Sequence, residues 1–536
     1  MKDLFAREAL AQIPKILTLL DRNPHSPTYG CFDRNFWHYK IIDFPSGMSQ
    51  EFVLPLTLAY STHLAGNPFY QQPILKQWVI AGIRYAAQSS HPDGSCDDYF
   101  PFERAGGAAA FSLLACVDSY LRLNLHDPAL LQFFSNRADW LAHHQESGRL
   151  TNHQALIVLC LELLSRLLKT DRWDRAKVQR LEQVLDWQNE EGWFQEYEGC
   201  DPGYQTLTIS CLARIHQLNS DQHLQAKFLQ ESLVKAVRLA AEFVHPDGSF
   251  GGEYTSRNTY NFFPHGFELV GRWLPEALAV NDRFLTGLAQ GKAPCYADDH
   301  IIGHHTWNYL LAWEDFVAER PPLPSRSDGQ VWLKQARVLI DRRQGTELYL
   351  ALNKGGVFKL FRDGQLVCSD TQFSLQVGQG RKLKNAVGHL VGDYTVAVEP
   401  DEIVIRGQLG WAKQKQMTPL NLMILRVVML SFGRFYPNLI RKLLQKVLIV
   451  GKQAAPFQFT RRLQWQAESS TWQVTDELRA QDWQPVKSAG IGADQTSIYV
   501  VMSRTYQAGQ LQNWLDLTDQ IRQLKPNEPL KLERWL

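Results

Sequence analysis

The residues of this 536-residue chain that could do chemistry are most concentrated between positions 245 and 269. Two glycines, Gly251 and Gly252, precede a polar and aromatic cluster there. Glycine permits backbone angles that other residues avoid, and dense functional groups in an irregular segment are typical of a site. The members of the cluster that could act on a ligand are Glu253, Tyr254, Arg257, Asn258, Tyr260, Asn261 and His265.

A polar pair upstream, Asn152 and His153, opens the apolar pattern TNHQALIVLCLELL, with Thr151 as a suitable N-cap. The N-terminus of a helix favours a negatively charged ligand, so this pair could bind a carboxylate. The stretch GWFQEYEGCDPGYQTLTIS lies at the next repeat, and its Tyr204 comes roughly fifty residues after Asn152. Its candidate residues are Glu196, Tyr197, Glu198, Asp201 and Tyr204.

Helices must position these residues in the first part of the chain. Apolar side chains recur there at three- and four-residue intervals, which predicts helices over 77–89, 107–123, 152–168, 175–189, 205–218 and 224–244. Glycine turns recur roughly every fifty residues, the length of an αα-hairpin. Repeated hairpins either stack as an open solenoid or curve into a toroid.

The second part of the chain has the pattern of strands. The proline-rich segment 321–327 predicts a linker between a helical domain at 1–320 and a β-domain at 328–536. Alternating residues and hairpin turns predict an antiparallel sandwich. The predicted strands are 331–333, 336–341, 348–352, 356–362, 366–368, 373–377, 394–398 and 403–407, with further strands between 457 and 474 and at 497–503.

An amphipathic insertion at 411–454 interrupts the predicted sandwich. From residue 403 to 467 the sequence has eleven Lys and Arg and no Asp or Glu. One interpretation is a helix pair on an anionic membrane, or a flap over an anionic substrate. The other is a helical insertion that packs on the sandwich with its charges solvated. No apolar run is long enough to predict a spanning helix, because Arg426 interrupts the longest one.

The composition and charge of the chain limit the kinds of partner and cofactor that can be predicted for it. A formal net charge of +1 gives no general attraction to nucleic acid, so no nucleic-acid partner is predicted. The eight cysteines form no CxxC pair, and no metal or cofactor is predicted. The N-terminal segment has the pattern of an amphipathic helix rather than a signal peptide, which predicts a cytoplasmic protein at most peripheral to a membrane. The sequence leaves the oligomeric state open.

The order of these features resembles the heparinase II/III-like polysaccharide lyases, which include alginate and oligoalginate lyases. The resemblance rests on Asn-His at a helix start, on Tyr-Gln at 204–205, on the NTYNFFPHG turn and on the following strands. It implies an incomplete (α/α) toroid of helical hairpins followed by an antiparallel β-sandwich. It also implies a lyase that cleaves an anionic, uronate-containing polysaccharide or oligosaccharide by β-elimination.

The resemblance also implies roles for particular residues. In β-elimination the uronate carboxylate must be neutralised, a base must remove the C5 proton, and an acid must protonate the leaving O4. Asn152 and His153 would hold the carboxylate, with His153 a candidate base, and Tyr204 would serve as the acid or as acid and base together. The residues expected to bind substrate are Glu196, Arg257, Asn258, Tyr260, His265 and His305.

Each role has a structural alternative. Asn152 could cap a helix, Tyr204 could be a core residue and His265 could shape a turn. His305 could be a packing residue beside Trp307 in an amphipathic helix. His153 could lie on the surface. The segment 298–300 (Asp-Asp-His) could contribute to a metal site only with help from elsewhere, because adjacent residues do not all converge on one ion.

The sequence also allows other functions. A uronyl C5-epimerase needs the same proton abstraction, and a non-catalytic glycan-binding or polysaccharide-assembly protein could keep the same fold. Terpene-cyclase and prenyltransferase toroids share repeated glycine turns. However, the sequence has no DxDD motif, and its β-rich second half fits that class poorly.

Overall fold

The chain is described from a computed structural model, which covers residues 1–146, 148–197, 199–219, 223–292, 302–380, 382–412, 417–448, 453–493 and 511–536. Helices fill its first part, and antiparallel sheets follow. The predicted fold class is therefore confirmed. The first-part helices are α1 Lys2–Leu10, α2 Ile13–Leu19, α3 Arg34–Trp37, α4 Val53–Ser61, α5 Pro73–Gln88, α6 Gly106–Arg122, α7 Pro128–His143, α8 Thr151–Leu168, α9 Asp174–Asp186, α10 Pro202–Leu218, α11 His223–Glu242, α12 His265–Gly271, α13 Glu276–Ala289 and α14 Ile302–Glu314.

The helices pair as hairpins and form a toroid. The inner helices α4, α6, α8, α10, α12 and α14 pack on one another in that order, and α14 also packs on α4 and α1. Inner helices such as α6 and α8 are apolar on almost every side and buried along most of their length. Outer helices such as α9 bury only a few residues. This difference follows the rule that a helix apolar all round lies inside a protein.

Glycine turns connect the hairpins, as the repeat predicts. Four of these glycines have positive φ angles between 78° and 98°: Gly94, Gly148, Gly192 and Gly248. At Gly248 a Cβ atom would lie 2.4 Å from the backbone nitrogen of Gly287 on α13. The turn therefore needs glycine both for its backbone conformation and for its close approach to the neighbouring helix.

Two antiparallel sheets follow. The strands are β1 Gly329–Leu333, β2 Val338–Arg343, β3 Thr346–Ala351, β4 Val357–Arg362, β5 Gln365–Asp370, β6 Phe373–Gln379, β7 Lys382–Val387, β8 Thr395–Val398, β9 Glu402–Trp411, β10 Gln453–Gln466, β11 Thr471–Ala480, β12 Val486–Ile491, β13 Leu515–Asp516 and β14 Leu530–Trp535. The first sheet has the order β1-β2-β3-β4-β5, and the second has the order β13-β12-β6-β7-β9-β10-β11-β14, with β8 paired to β9.

The first sheet lies between the toroid and the second sheet. Alternate residues point to opposite faces of a strand. Accordingly, Leu348 and Leu350 of β3 belong to the core shared with the second sheet, whereas Tyr349 belongs to the core of the toroid. Phe361 of β4 joins Tyr349 on the helical side. Burial of each large apolar side chain contributes about 1.5–3 kcal/mol, so this face joins the two parts of the chain firmly.

The connection between helices and strands falls between Glu314 and Gly329. Arg326 in this segment donates hydrogen bonds to Glu347 at 2.5 Å, to the Tyr349 hydroxyl at 2.9 Å and to the Val244 carbonyl. The segment is thus attached to both parts. The domain limits at 320 and 328 stay a prediction.

The insertion between β9 and β10 contains two short helices, α15 Pro419–Val428 and α16 Pro437–Leu448, joined by a π-helical turn at Met429–Gly433. A last helix, α17, spans Thr518–Arg522. Within the described ranges, no helix has the length and apolar character needed to cross a membrane.

Some elements differ from their predictions. Strand β7 was not predicted, because its sequence KLKNAV carries two lysines and its first half is exposed. The predicted strand at 497–503 lies outside the described residues. The end of α9 comes at Asp186, earlier than predicted, because Trp187 to Glu196 turn back towards α8.

Candidate active site

The segment after α9 is held against the start of α8. Leu150 and Glu196 form an isolated antiparallel bridge. The Thr151 hydroxyl donates to the Gln195 carbonyl at 2.5 Å, and the Tyr197 amide donates to the Arg149 carbonyl at 2.9 Å. These bonds place Glu196 beside Asn152 in the first turn of α8.

Asn152 and Glu196 form the buried floor of the site. Asn152 is 1% exposed, and neither of its amide atoms has a hydrogen-bond partner of normal geometry among the described residues. Burial raises the pKa of the Glu196 carboxyl to about 7, although His153, Asn152 and Arg257 oppose the shift. A buried polar group without a partner costs stability, so it is often kept for a ligand.

Asp201, the N-cap of α10, places Tyr204 and Arg257 next to each other. Its Oδ1 accepts from the amides of Gly203 at 3.1 Å and Tyr204 at 3.2 Å. Its Oδ2 accepts from the Arg257 amide at 3.1 Å and from the Thr255 hydroxyl at 3.2 Å. One carboxylate therefore starts the helix that carries Tyr204 and fixes the loop that carries Arg257.

The guanidinium of Arg257 lies among aromatic and acidic groups. It stands 4.1 Å from the centre of the Tyr197 ring. Burial disfavours its charge, yet Tyr204, Tyr197 and Glu196 raise the pKa of Arg257 above its ordinary value. Tyr99 lies close to Tyr204 and Tyr197 as well, and it is 64% exposed, so an aromatic surface borders the cluster on the solvent side.

His153 is oriented by Glu146. Its Nδ1 lies 2.7 Å from Glu146 Oε2, and Glu146 Oε1 accepts from the Gly107 amide at 3.2 Å. The ring stands edge-on to Phe111, and its side chain is 21% exposed. A carboxylate at Nδ1 fixes the proton on that nitrogen and leaves Nε2 as the basic atom of the neutral ring.

The structure thus brings five of the predicted site residues into one cluster: Asn152, His153, Glu196, Tyr204 and Arg257. Their electrostatic contacts connect the start of α8, the segment before α10 and the loop before α12. A cation, an amide, an imidazole, a phenol and a carboxyl that titrates near neutrality can together bind a carboxylate and transfer protons. Their roles stay predictions.

Asn258 and Tyr260 contact the first sheet instead. Asn258 Oδ1 accepts from Lys354 Nζ at 2.5 Å, and the same ammonium donates to the Glu253 carbonyl at 2.6 Å and the Thr255 carbonyl at 2.9 Å. The Tyr260 hydroxyl donates to the Glu253 carboxylate, and Lys359 Nζ lies 4.4 Å from the centre of the Tyr260 ring. Both residues therefore hold the loop on the sheet.

His265 and His305 lie inside the toroid. His265 Nε2 is 2.8 Å from Asp315 Oδ2, and the residue is 2% exposed. His305 Nε2 is 2.9 Å from Asn261 Oδ1, and burial lowers the pKa of His305 to about 3, so its ring is neutral at neutral pH. The predicted substrate contacts of Asn258, Tyr260, His265 and His305 stay predictions.

Sequence reasoning did not single out Glu146 or Lys354, and it named Asp201 without a role. The Asp201-Pro202 pair carried a usable signal, because an N-cap aspartate followed by proline marks a helix start. Lys354 lies in a turn that indicated only a hairpin. Nothing in the sequence connects it to Asn258.

Among the described residues there is no group of three or more His, Cys, Asp or Glu that could hold a metal ion. The segment 298–300 lies outside the described residues.

Two solved structures share this fold. A variant of chondroitin AC lyase from Streptomyces coelicolor A3 superposes with a TM-score of 0.52 at 11% identity, covering 92% of this chain and 68% of that one. A Paenibacillus xanthan lyase gives 0.51 at 12% identity, covering 91% and 46%. The chain has a polysaccharide lyase fold. This lyase fold includes both the toroid and the sheets, because each superposition covers more than nine tenths of the chain.

Sequence comparisons give no closer identification. No model of a known protein family matches the chain, and no curated protein matches it. The chain spans 68% of the chondroitin lyase but less than half of the xanthan lyase.

Proposed function

We propose that this protein is a lyase that cleaves a uronate-containing polysaccharide by β-elimination. The observation that carries the proposal is the buried amide of Asn152, which has no hydrogen-bond partner of normal geometry among the described residues and faces the Glu196 carboxyl. An amide and a carboxylic acid side by side match the two oxygens of a uronate carboxylate.

The first requirement of the reaction is neutralisation of that carboxylate. The Asn152 amide donates to one oxygen. Glu196, whose pKa is raised to about 7 by burial, is protonated in a substantial fraction of molecules at neutral pH and donates to the other. Hydrogen bonds aimed at a carboxylate that becomes an enolate-like dianion strengthen as charge develops, and one such donor contributes about 10²–10³ in rate.

The second requirement is a pair of proton transfers. Tyr204 protonates the leaving oxygen. Either Tyr204 or His153 Nε2 removes the C5 proton, and the guanidinium of Arg257 lies beside Tyr204. Well-placed acids and bases of this kind contribute about 10²–10⁴ in rate.

The elimination needs no reactant other than the polysaccharide and the acid and base of the site. The base takes the C5 proton, the electron pair of that bond forms the C4–C5 double bond, and the C4–O4 bond breaks. The leaving sugar keeps the oxygen and receives a proton from the acid. The products are an unsaturated uronate and a new reducing end.

The substrate class follows from the charge of the site. Arg257 offers a cation to an acidic sugar, and the aromatic rings of Tyr99 and Tyr197 beside it suit the apolar faces of sugar rings. Two proteins of the same fold are a chondroitin lyase and a xanthan lyase. An anionic polysaccharide or oligosaccharide is therefore the proposed substrate, and the sugar and linkage stay open.

The test is incubation of the purified protein with chondroitin, hyaluronan, heparan sulfate, alginate and xanthan. A lyase produces absorbance at about 235 nm from the unsaturated uronate that this acid–base chemistry leaves. The Tyr204→Phe variant is the control, and it should remain folded and produce no absorbance.

Other outcomes separate the alternatives. Deuterium uptake at C5 in heavy water without cleavage would replace the lyase with an epimerase. Uptake by Tyr204→Phe without cleavage would assign the base to His153. Glycan binding with neither cleavage nor uptake would contradict an enzymatic function.

A further inference from the structure

The insertion between β9 and β10 exposes an unusual amount of apolar surface. Twelve of the twenty-seven exposed large apolar side chains in the described part of the chain lie between Met417 and Leu443. Val427 and Phe435 are 65% and 66% exposed. We call this segment the apolar surface, and its members are Met417, Leu420, Leu422, Met423, Ile424, Val427, Leu430, Phe432, Phe435, Tyr436, Leu439 and Leu443. Contiguous exposure on this scale marks an interaction surface rather than ordinary scatter.

The charge of the same segment has one sign. The sequence from residue 403 to 467 carries eleven Lys and Arg and no Asp or Glu. Arg434 is exposed beside Phe435, its guanidinium 4.6 Å from the centre of that ring. A partner that covers this surface must therefore be apolar and must also tolerate or prefer positive charge.

The helices of the insertion bury few of their own residues. Met429 and Ile440 are buried, whereas α15 has no buried residue. Arg426 contacts the first part of the chain, where it pairs with Asp43 at 2.9 Å and lies 5.4 Å from the centre of the Phe44 ring. This contact connects α15 to the helical part of the chain, while five apolar side chains of α15 stay exposed.

We propose that the apolar surface docks onto an anionic lipid bilayer. Helices of ten and twelve residues are too short to cross a bilayer, which requires about 20 residues. Short helices with apolar and basic side chains instead lie in the interfacial plane, where buried apolar area and attraction to anionic headgroups act together. The absence of acidic residues across 403–467 favours an anionic lipid surface over a protein partner of mixed charge.

Docking would also orient the candidate active site. Asp43 lies three positions before Ser46, whose hydroxyl donates to Asp98 at 2.6 Å, and Asp98 precedes Tyr99 at the edge of the aromatic surface. The apolar surface and the opening of the cluster are thus connected through one short run of contacts.

Flotation of the full-length protein with vesicles tests the proposal. We expect binding to phosphatidylcholine vesicles that contain about one third phosphatidylglycerol, and much weaker binding to phosphatidylcholine alone. The double variant Val427→Glu/Phe435→Glu should reduce binding about tenfold or more, because it places two charges at the interface. Phe228→Glu is the matched control, since Phe228 is 59% exposed on α11, outside the insertion.

A second pair of substitutions, at basic residues, separates electrostatic attraction to lipid headgroups from binding through apolar side chains alone. Arg434→Gln/Lys442→Gln should weaken binding to anionic vesicles by roughly fivefold per charge and leave the weak binding to neutral vesicles unchanged. The Val427→Glu/Phe435→Glu variant should keep the wild-type melting temperature, because both substituted side chains are exposed.

Three results would overturn the proposal. The first is wild-type protein that does not float with anionic vesicles. The second is binding that Phe228→Glu reduces as much as the double variant does. The third is a concentration-dependent dimer in light scattering that Val427→Glu/Phe435→Glu dissociates, without vesicle binding, which would assign the surface to a second copy of the chain. None of these depends on lyase activity.

Discussion

The loop from Glu253 to Asn261 supplies two polar clusters with different surroundings. Arg257 points into the cluster around Asn152 and Tyr204. Its neighbour Asn258 has a φ angle of 60° and points to Lys354 on the first sheet. Two adjacent residues therefore have different roles. Arg257 faces the candidate catalytic groups, and Asn258 binds the loop to the first sheet.

The two clusters are equally polar, but their partners differ. In the sheet-side cluster, Asn258, Tyr260 and Glu253 bond to Lys354, to Lys359 or to one another. In the cluster around Asn152 and Tyr204, Asn152 is buried without a hydrogen-bond partner of normal geometry among the described residues, and the carboxyl of Glu196 has a raised pKa. Polar density thus indicates that a segment matters. The bonds that Asn258 and Tyr260 make, and that Asn152 lacks, distinguish support from chemistry.

The sharpest contrast lies between two tyrosines. Tyr204→Phe should lower kcat about 10²–10⁴-fold with little change in melting temperature, because the hydroxyl is the proposed acid. Tyr260→Phe should lower stability by about 1 kcal/mol and change kcat less than about threefold, because its hydroxyl bonds to Glu253. Steady-state assays on the best substrate and thermal melts check both. Equal loss of activity in the two variants would remove the distinction.

Two asparagines extend the contrast. Asn152→Ala should reduce kcat about 10²–10³-fold without loss of stability, because it removes a buried amide that the protein leaves without a hydrogen bond of normal geometry. Asn258→Gly, which keeps the left-handed backbone, should instead destabilise by about 1–3 kcal/mol, because the Lys354 ammonium loses an acceptor. Urea unfolding followed by activity assays separates the effects. A stability loss in Asn152→Ala would indicate that its amide supports the fold.

The raised pKa of Glu196 predicts that the stability of the protein depends on pH. Its pKa is about 7 in the folded protein and about 4.3 when unfolded, so the protonated group favours folding at low pH and that contribution is lost as pH rises through about 7. Glu196→Gln should match wild type near pH 4 and be more stable above pH 7 by an amount of the order of 3 kcal/mol. Melting temperatures across this range measure the difference. Parallel profiles for the two proteins would show that Glu196 keeps an ordinary pKa.

The smallest effect is expected at His305. Its ring stacks on Phe263 with centroids 4.8 Å apart and bonds to Asn261, so His305→Gln should cost about 1 kcal/mol of stability. The change in kcat/KM should stay below about threefold, and its pH profile should be that of the wild type because the ring is neutral throughout the neutral range. A large loss of kcat/KM in a variant that remains folded would instead show that His305 belongs to the active site.

Local signals explain how much of the fold the sequence could reveal. The helix predicted at 107–123 is α6 at Gly106–Arg122, because its apolar period and flanking glycines are local properties. Strand β7 escaped prediction because its stability comes from pairing with β6 and β9 rather than from its own residues. Periodicity and the proline-rich segment indicated the order of the helical and β parts, whereas the resemblance to a lyase family indicated a toroid rather than an open solenoid.

The site was predictable where chemistry is tied to a helix start. Asn152, His153 and Tyr204 all lie in first turns, and the structure brings them together with Glu196 and Arg257. The different orientations of Arg257 and Asn258 could not be predicted, because they depend on Asp201 and Lys354, which are far away in sequence.

Lys354 has a consequence for how such a protein can be divided. Its ammonium, buried in the first sheet's β3–β4 turn, holds three oxygens of the loop that carries Arg257. A toroid separated from its sheets would keep Asn152 and Tyr204 but would lose the contact that positions their cation. An exchange of this protein's helices or sheets for those of another protein would therefore have to transfer the loop and the lysine-bearing turn together, as a single heritable unit that spans helices and strands.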